Sequence, residues 1–200
     1  MRKSDLIALT DSTLARLDGA TEGRVPATPV ARWLILGTMA VESDLSANRQ
    51  LRRGPARGLV QMEPATALDI GVWLRATFGR RWYGRATGDE ILEAVTGLRP
   101  SRVFKSRAEA AYHLETSLAL QVFLSRLHYY RVPEPLPGPL VAELGAYWKS
   151  HYNTAAGAGT AADFTDRFVR HFGSHPEAEA HFSDLEGLVA AASTPPSTAV

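Results

Sequence analysis

Glu42 closes an almost uninterrupted apolar run, residues 29–43, which reads Pro-Val-Ala-Arg-Trp-Leu-Ile-Leu-Gly-Thr-Met-Ala-Val-Glu-Ser. A carboxyl group held at the rim of an apolar helix has its charged form disfavoured by desolvation, so its pKa rises. A protonated carboxyl near neutral pH is what a general acid requires. A solvated glutamate at a helix end would be the bland reading of the same residue. The turn that follows, Gly-Leu-Val-Gln-Met-Glu-Pro-Ala-Thr over residues 58–66, adds two more groups with chemistry. Gln61 carries an amide that both donates and accepts, and it fits equally well as a cap for a helix starting at Pro64. Glu63 reads either as a second carboxylate, which would suit a hydrolase, or as an anion set favourably against a helix N-terminus. Ser43 either orients the Glu42 segment or serves as a helix-end cap. Glu115 belongs to a helical stretch and reads as an exposed face residue that could also reach a cleft.

Glu42, Ser43, the Gly-Leu-Val-Gln of residues 58–61, and Pro64 with Thr66 resemble the signature of the soluble lytic transglycosylase family of the lysozyme-like superfamily. A third family block, an Ala-Tyr-Asn followed by glycines, resembles Tyr-Trp-Lys-Ser-His-Tyr-Asn-Thr at residues 147–154, with Gly157 and Gly159 behind it. The three blocks stand in the family's order and span residues 29 to about 165. Two positions depart from the pattern: Glu63 stands where the family carries an apolar residue, and Asn153 is followed by Thr-Ala-Ala before Gly157. The wording of the second and third blocks looks most like a branch carried in the virions or tails of tailed bacteriophages. The resemblance implies a lysozyme-like helical domain that cleaves the MurNAc–GlcNAc bond of peptidoglycan with Glu42 as single acid and base. Ser43, Gln61, Glu63, Tyr147, Tyr152 and Asn153 then become substrate-side residues, with Tyr152 and Asn153 bonding an N-acetyl group or the Glu42 carboxyl. Without the resemblance, Tyr152 would read as core. The implied partners are peptidoglycan glycan strands and neighbouring tail or baseplate proteins, and the implied location is a phage virion acting at the bacterial wall. A muramidase-type hydrolase is the rival enzyme, and a tail or baseplate protein that keeps the fold without cutting is the rival of another class.

Composition fits this without demanding it. The 200 residues are 45% hydrophobic and 22% charged, enough for one compact domain with a core. Twenty-two basic against 21 acidic side chains give a net charge of +1, so no overall field favours nucleic acid or an anionic membrane. Arginines cluster locally at Arg49, Arg52, Arg53 and Arg57, and again at Arg75, Arg80, Arg81 and Arg85; the first group could meet lactyl or peptide carboxylates or be a solvated face. The absence of cysteine excludes disulfides, thiolate catalysis and cysteine-bound zinc. His171 and His175 are four apart with His181 beyond, but Gly173 interrupts the pair and no His-Glu-x-x-His occurs, so no metal or organic cofactor is expected. Serine-hydrolase and phosphate-loop motifs are missing too. No cleavable signal is visible, which for a wall-degrading protein suits delivery by a phage particle or a holin-type release, and the apolar run at 33–41 is too short to span a bilayer.

The elements that must position these groups read as helices. Residues 4–17 form a short amphipathic helix, followed by a linker to residue 28. Thr28 and Pro29 make an N-cap and first turn for a helix buried on nearly every side. Residues 44–63, broken by Asn48, Gly54, Pro55 and Gly58, form a loop or small hairpin. Further helices are expected from Pro64 to Phe78, over 89–98, over 106–130 as one long element, over 139–152, over 161–172 and over 176–192. The expected organisation is an N-terminal helix and linker (1–28), a lysozyme-like domain (29–192) and a flexible tail (193–200), all-α with at most a small β excursion.

Overall fold

The computed structural model describes residues 2–46, 49, 54–79, 86–153 and 157–173, and within them the chain is all-α, with no strand. The helices are α1 (Lys3–Ala20), α2 (Pro29–Ser43), α3 (Pro64–Thr77), α4 (Gly88–Thr96), α5 (Pro100–Val103), α6 (Arg107–Thr116), α7 (Leu118–Tyr130), α8 (Val141–Trp148) and α9 (Ala161–Phe172), with a π-helical turn at Lys149–Asn153 after α8. The expected helix over 176–192 and the tail at 193–200 lie outside the described residues. The loop before α3 holds two isolated antiparallel bridges, Arg49 with Arg57 and Arg57 with Met62, which is the small β excursion anticipated there.

Local chemistry sets most of the boundaries. Thr28 accepts a hydrogen bond from the Ala31 amide at 3.1 Å, and Pro29 fills the first turn of α2, where its missing N–H costs nothing. Thr87 and Glu90 form a capping box on α4, and Thr160 with Asp163 forms another on α9. The one long element expected over 106–130 is instead two helices. Ser117 adopts an extended conformation (φ −122°, ψ 103°) and caps α7 by accepting from the Leu120 amide at 3.2 Å. Apolar periodicity continues across the break, so pattern alone reads through it. A serine able to satisfy orphan helix amides then takes over the backbone.

α2 is the axis of the molecule. From Trp33 to Ala40 every residue is buried, and the helix packs against α1, α7, α8 and α9. Close approach of α9 depends on Gly37: a Cβ there would collide with the Phe164 ring, and one on Gly145 of α8 would stand 2.8 Å from the Ala161 carbonyl oxygen. Phe164 fills the space these glycines leave, fully buried between Trp148 (ring centroids 5.8 Å) and Phe168 (6.1 Å). Inside the core Thr38 donates to the Leu34 carbonyl at 2.7 Å, which commits its only proton, so the Tyr129 hydroxyl donates to Thr38 across 2.7 Å. The N-terminal helix belongs to this same core, where α1 buries Leu6, Leu14 and Leu17. Among the described residues no helix is long and apolar enough to cross a membrane.

Candidate active site

The C-terminal end of α2, the turn before α3 and the π-helical turn after α8 converge on one cleft of about 730 Å³. Glu42, Ser43, Gln61, Glu63, Tyr152 and Asn153 all line it, joined by Asp44, Arg49, Thr66, His128, Gly157 and Arg167. Glu42 is half-buried and its Oε1 accepts a hydrogen bond from the indole Nε1–H of Trp148 at 3.2 Å. Burial raises the Glu42 pKa from 4.5 to about 7, against the indole N–H, which favours the ionised form and lowers it. An N–H can only donate. Oε1 is therefore an acceptor in both protonation states, and the acidic proton resides on Oε2.

The Trp148 contact with Glu42 is a feature of the site that sequence reasoning missed, although Trp148 stands inside the third block. Tyr147 was expected at the substrate side and is elsewhere. Successive helical residues diverge by about 100°, so only one of the pair can face α2. Trp148 takes that direction, whereas Tyr147 donates to the Glu134 carbonyl at 3.2 Å, packs on Tyr129 and His151, and does not line the cleft. If the indole holds Glu42 as described, Trp148→Phe should move the Glu42 titration midpoint above about 7, because it deletes the one hydrogen bond that favours the charged form. A carbon-detected NMR titration of the carboxyl checks this, and an unchanged midpoint would reject the contact.

Beyond Glu42 the chain turns sharply. Asp44 and Leu45 both take left-handed backbone conformations (φ 52° and 55°), a geometry costly for a leucine and tolerated by an aspartate. Asp44 is tied to α9 by His171 Nε2 at 2.7 Å and Arg167 at 2.8 Å. The His171 hydrogen bond, then Arg167, hold its carboxyl below the ordinary range. This clasp fixes where α2 ends and aligns the carboxyl two residues before it. Ser43 makes no cap. It is buried and donates back to the Met39 carbonyl at 2.9 Å, which leaves the helix end to Asp44.

The second block folds as a tight turn. Arg57 and Met62 exchange both backbone hydrogen bonds at 3.0 Å, and the Gln61 amide closes the turn onto the Gly58 carbonyl at 3.1 Å. Gly58 (φ 73°) must be glycine, because a Cβ would stand 2.6 Å from the Gln121 side chain and the Leu114 carbonyl oxygen. Gln121 explains that closeness: its oxygen accepts from the Leu59 amide at 2.7 Å and its amide donates to Leu114 at 2.8 Å, riveting the turn to the α6–α7 break. On the other flank the Tyr152 hydroxyl donates to the Val60 carbonyl at 2.8 Å, and burial pushes its ionisation above the ordinary tyrosine range. Gln61 does not cap α3; its Nε2 donates to the Gly58 carbonyl at 2.7 Å. Glu63 stands at the N-cap position of α3 without a capping bond, exposed at the cleft rim. Glu115 is a strut rather than a cleft group, receiving Arg49 at 2.8 Å and Arg57 at 2.8 Å.

His128 lines the cleft floor, another residue without a sequence signal. Its Nε2 meets the His151 carbonyl at 3.1 Å, so Nε2 carries the proton, and burial keeps the ring neutral by lowering its pKa. The ring meets Tyr152 edge-on at 5.0 Å and so holds the π-helical turn in place. Of the histidines considered for metal, His171 is engaged with Asp44, while His175 and His181 lie outside the described residues, as do Arg52, Arg53, Arg80, Arg81 and Arg85. No protein-family model, curated protein or solved structure matches the chain.

Proposed function

We propose that this protein cleaves the glycan strands of peptidoglycan as a lytic transglycosylase, with Glu42 acting first as acid and then as base. The observation that carries this reading is a carboxyl with pKa of about 7, oriented by the Trp148 indole at the wall of an open cleft. Oε2 protonates the glycosidic oxygen, the C1–O bond breaks, and an oxocarbenium-like centre forms at C1. Glu42, now ionised, takes the proton of the C6 hydroxyl of the same N-acetylmuramic acid residue, and O6 closes on C1 to give a 1,6-anhydro sugar. No water enters and the carboxyl ends protonated, ready for a second turnover. Arg49 and Arg167 on the cleft walls would face the lactyl and peptide carboxylates of such a strand. The resemblance of the second and third sequence blocks to phage virion and tail proteins supports a role in local wall degradation during infection, with other tail or baseplate proteins as the expected neighbours.

Mass analysis of products from purified walls tests the reaction. Muropeptides ending in a 1,6-anhydro sugar, lighter by one water than hydrolytic products, are expected. Reducing-end muramic acid as the sole product would replace this reading by a muramidase-type hydrolase, for which exposed Glu63 on the same cleft is the available second carboxylate. No product at all would leave a glycan-binding tail component.

The pH profile follows from the same carboxyl. Turnover starts from the protonated acid, so activity should hold through mildly acidic pH and fall as pH rises through about 7. A rate that instead rises through pH 8 would mean Glu42 is not the proton donor.

A further inference from the structure

Lys149 begins the π-helical turn, a widened form of helix found often at functional sites. Its Nζ donates to the Asn153 side-chain Oδ1 at 2.8 Å and to the Gly157 carbonyl at 2.8 Å. An ammonium has donors only, so the amide of Asn153 is oriented without ambiguity: the oxygen faces Lys149 and the two Nδ2–H donors remain. Two glycines make room for this arrangement. A Cβ on Gly157 would overlap Asn153 Oδ1, and one on Gly159 would stand 3.4 Å from Asn153 Nδ2 and 2.7 Å from the Trp148 ring. Asn153 and Gly157 both line the cleft that holds Glu42.

We infer that Lys149 is a positioning residue whose ammonium clasps Asn153 and Gly157, so that the cleft meets Asn153 as a donor and selects ligands bearing a carbonyl oxygen such as that of an N-acetyl group. The inference rests on the glycan reading for the identity of the ligand, while the orientation of the amide stands on the clasp itself. Without the ammonium, the Asn153 amide is free to turn its oxygen into the cleft, where it would repel such a carbonyl. Lys149 touches no reacting atom; it acts through Asn153.

Binding of N-acetylated chitotetraose and of its fully de-N-acetylated counterpart, measured by titration calorimetry, tests this. Wild type should prefer the N-acetylated tetramer. Lys149→Met and Asn153→Ala should each weaken that tetramer by about 5- to 10-fold, the value of one hydrogen bond, and leave the de-N-acetylated one unchanged. The double variant should lose no more than either single one. Additive losses, or unchanged binding in Lys149→Met, would overturn the inference. Asn153→Asp guards against misfolding: its carboxylate keeps the ammonium contact but has no N–H to offer, so it should fold and lose the preference as Asn153→Ala does, and retained preference overturns the donor role. If wild type binds neither tetramer, the glycan reading fails separately, and the side-chain amide resonances of Asn153 decide the clasp. They should shift in Lys149→Met, and identical resonances in the two proteins would dismiss it.

Discussion

Glu42→Gln should abolish wall lysis while leaving the fold intact. The amide is nearly isosteric, and its oxygen can still accept from Trp148, so the packing around α2 is preserved. It cannot release a proton from the position of Oε2. A general acid contributes typically 100- to 10,000-fold, and clearing of purified walls should slow by that order. The same substitution should not destabilise the protein. A carboxyl whose folded pKa lies at about 7 against 4.5 resists ionisation in the native state. The resulting cost is absent below 4.5, grows between the two values and is complete above 7, where it reaches roughly 3 kcal/mol. Glu42→Gln should therefore melt no lower than wild type at pH 8, and higher if the cost is expressed in full. Full lytic activity with unchanged circular dichroism would remove Glu42 from the chemistry.

Phe164→Ala should produce the largest loss of stability among single changes near the site. Phe164 is fully buried at the crossing of α2, α8 and α9, where the absence of a Cβ on Gly37 and Gly145 leaves room for its ring. Truncating a buried phenylalanine costs about 3–5 kcal/mol, since the transfer energy of the ring is lost and a cavity is left. For a chain of this size that is a fall of about 6–20 °C in Tm, measurable by calorimetry. The effect should extend to the carboxyl, because Trp148 packs on the same ring. A looser Trp148 lets water reach Glu42, so its midpoint should move down towards the ordinary value. A change of less than about 2 °C would mean that the crossing repacks and that α9 does not hold the site together.

Much of the site was legible in the sequence because its residues belong to short local patterns. The apolar run ending in Glu42 reads as a buried helix, and α2 is one, capped by Thr28 and Pro29 as the residues indicate. Gly58 to Gln61 is a turn because a glycine at φ 73° and an amide closing on its carbonyl are local requirements, and Asn153 reaches the cleft with Tyr152 from the third block. What lay within a few residues of itself was readable. The break at Ser117 was not, since capping chemistry and periodicity give opposite answers there. Packing chose between them when Gln121 bonded the Leu59 amide from across the break.

Sequence by itself determined most of the helices, the caps at Thr28 and Thr87, the lack of any thiol chemistry and the candidacy of Glu42, because these follow from interactions between residues three or four positions apart or from composition. Tertiary structure alone decided which aromatic ring of the third block contacts Glu42. Tyr147 and Trp148 are adjacent and similar in bulk, yet one reaches the Glu134 carbonyl and the other reaches Glu42, 106 positions away. The same holds for Asp44, which no motif marks and which His171 finds across 127 positions, and for His128 beneath Tyr152. The physical reason is common to all three. A pKa and a hydrogen bond depend on which surfaces are brought out of water together, and that is fixed by how α2, α8 and α9 cross rather than by any residue's neighbours along the chain.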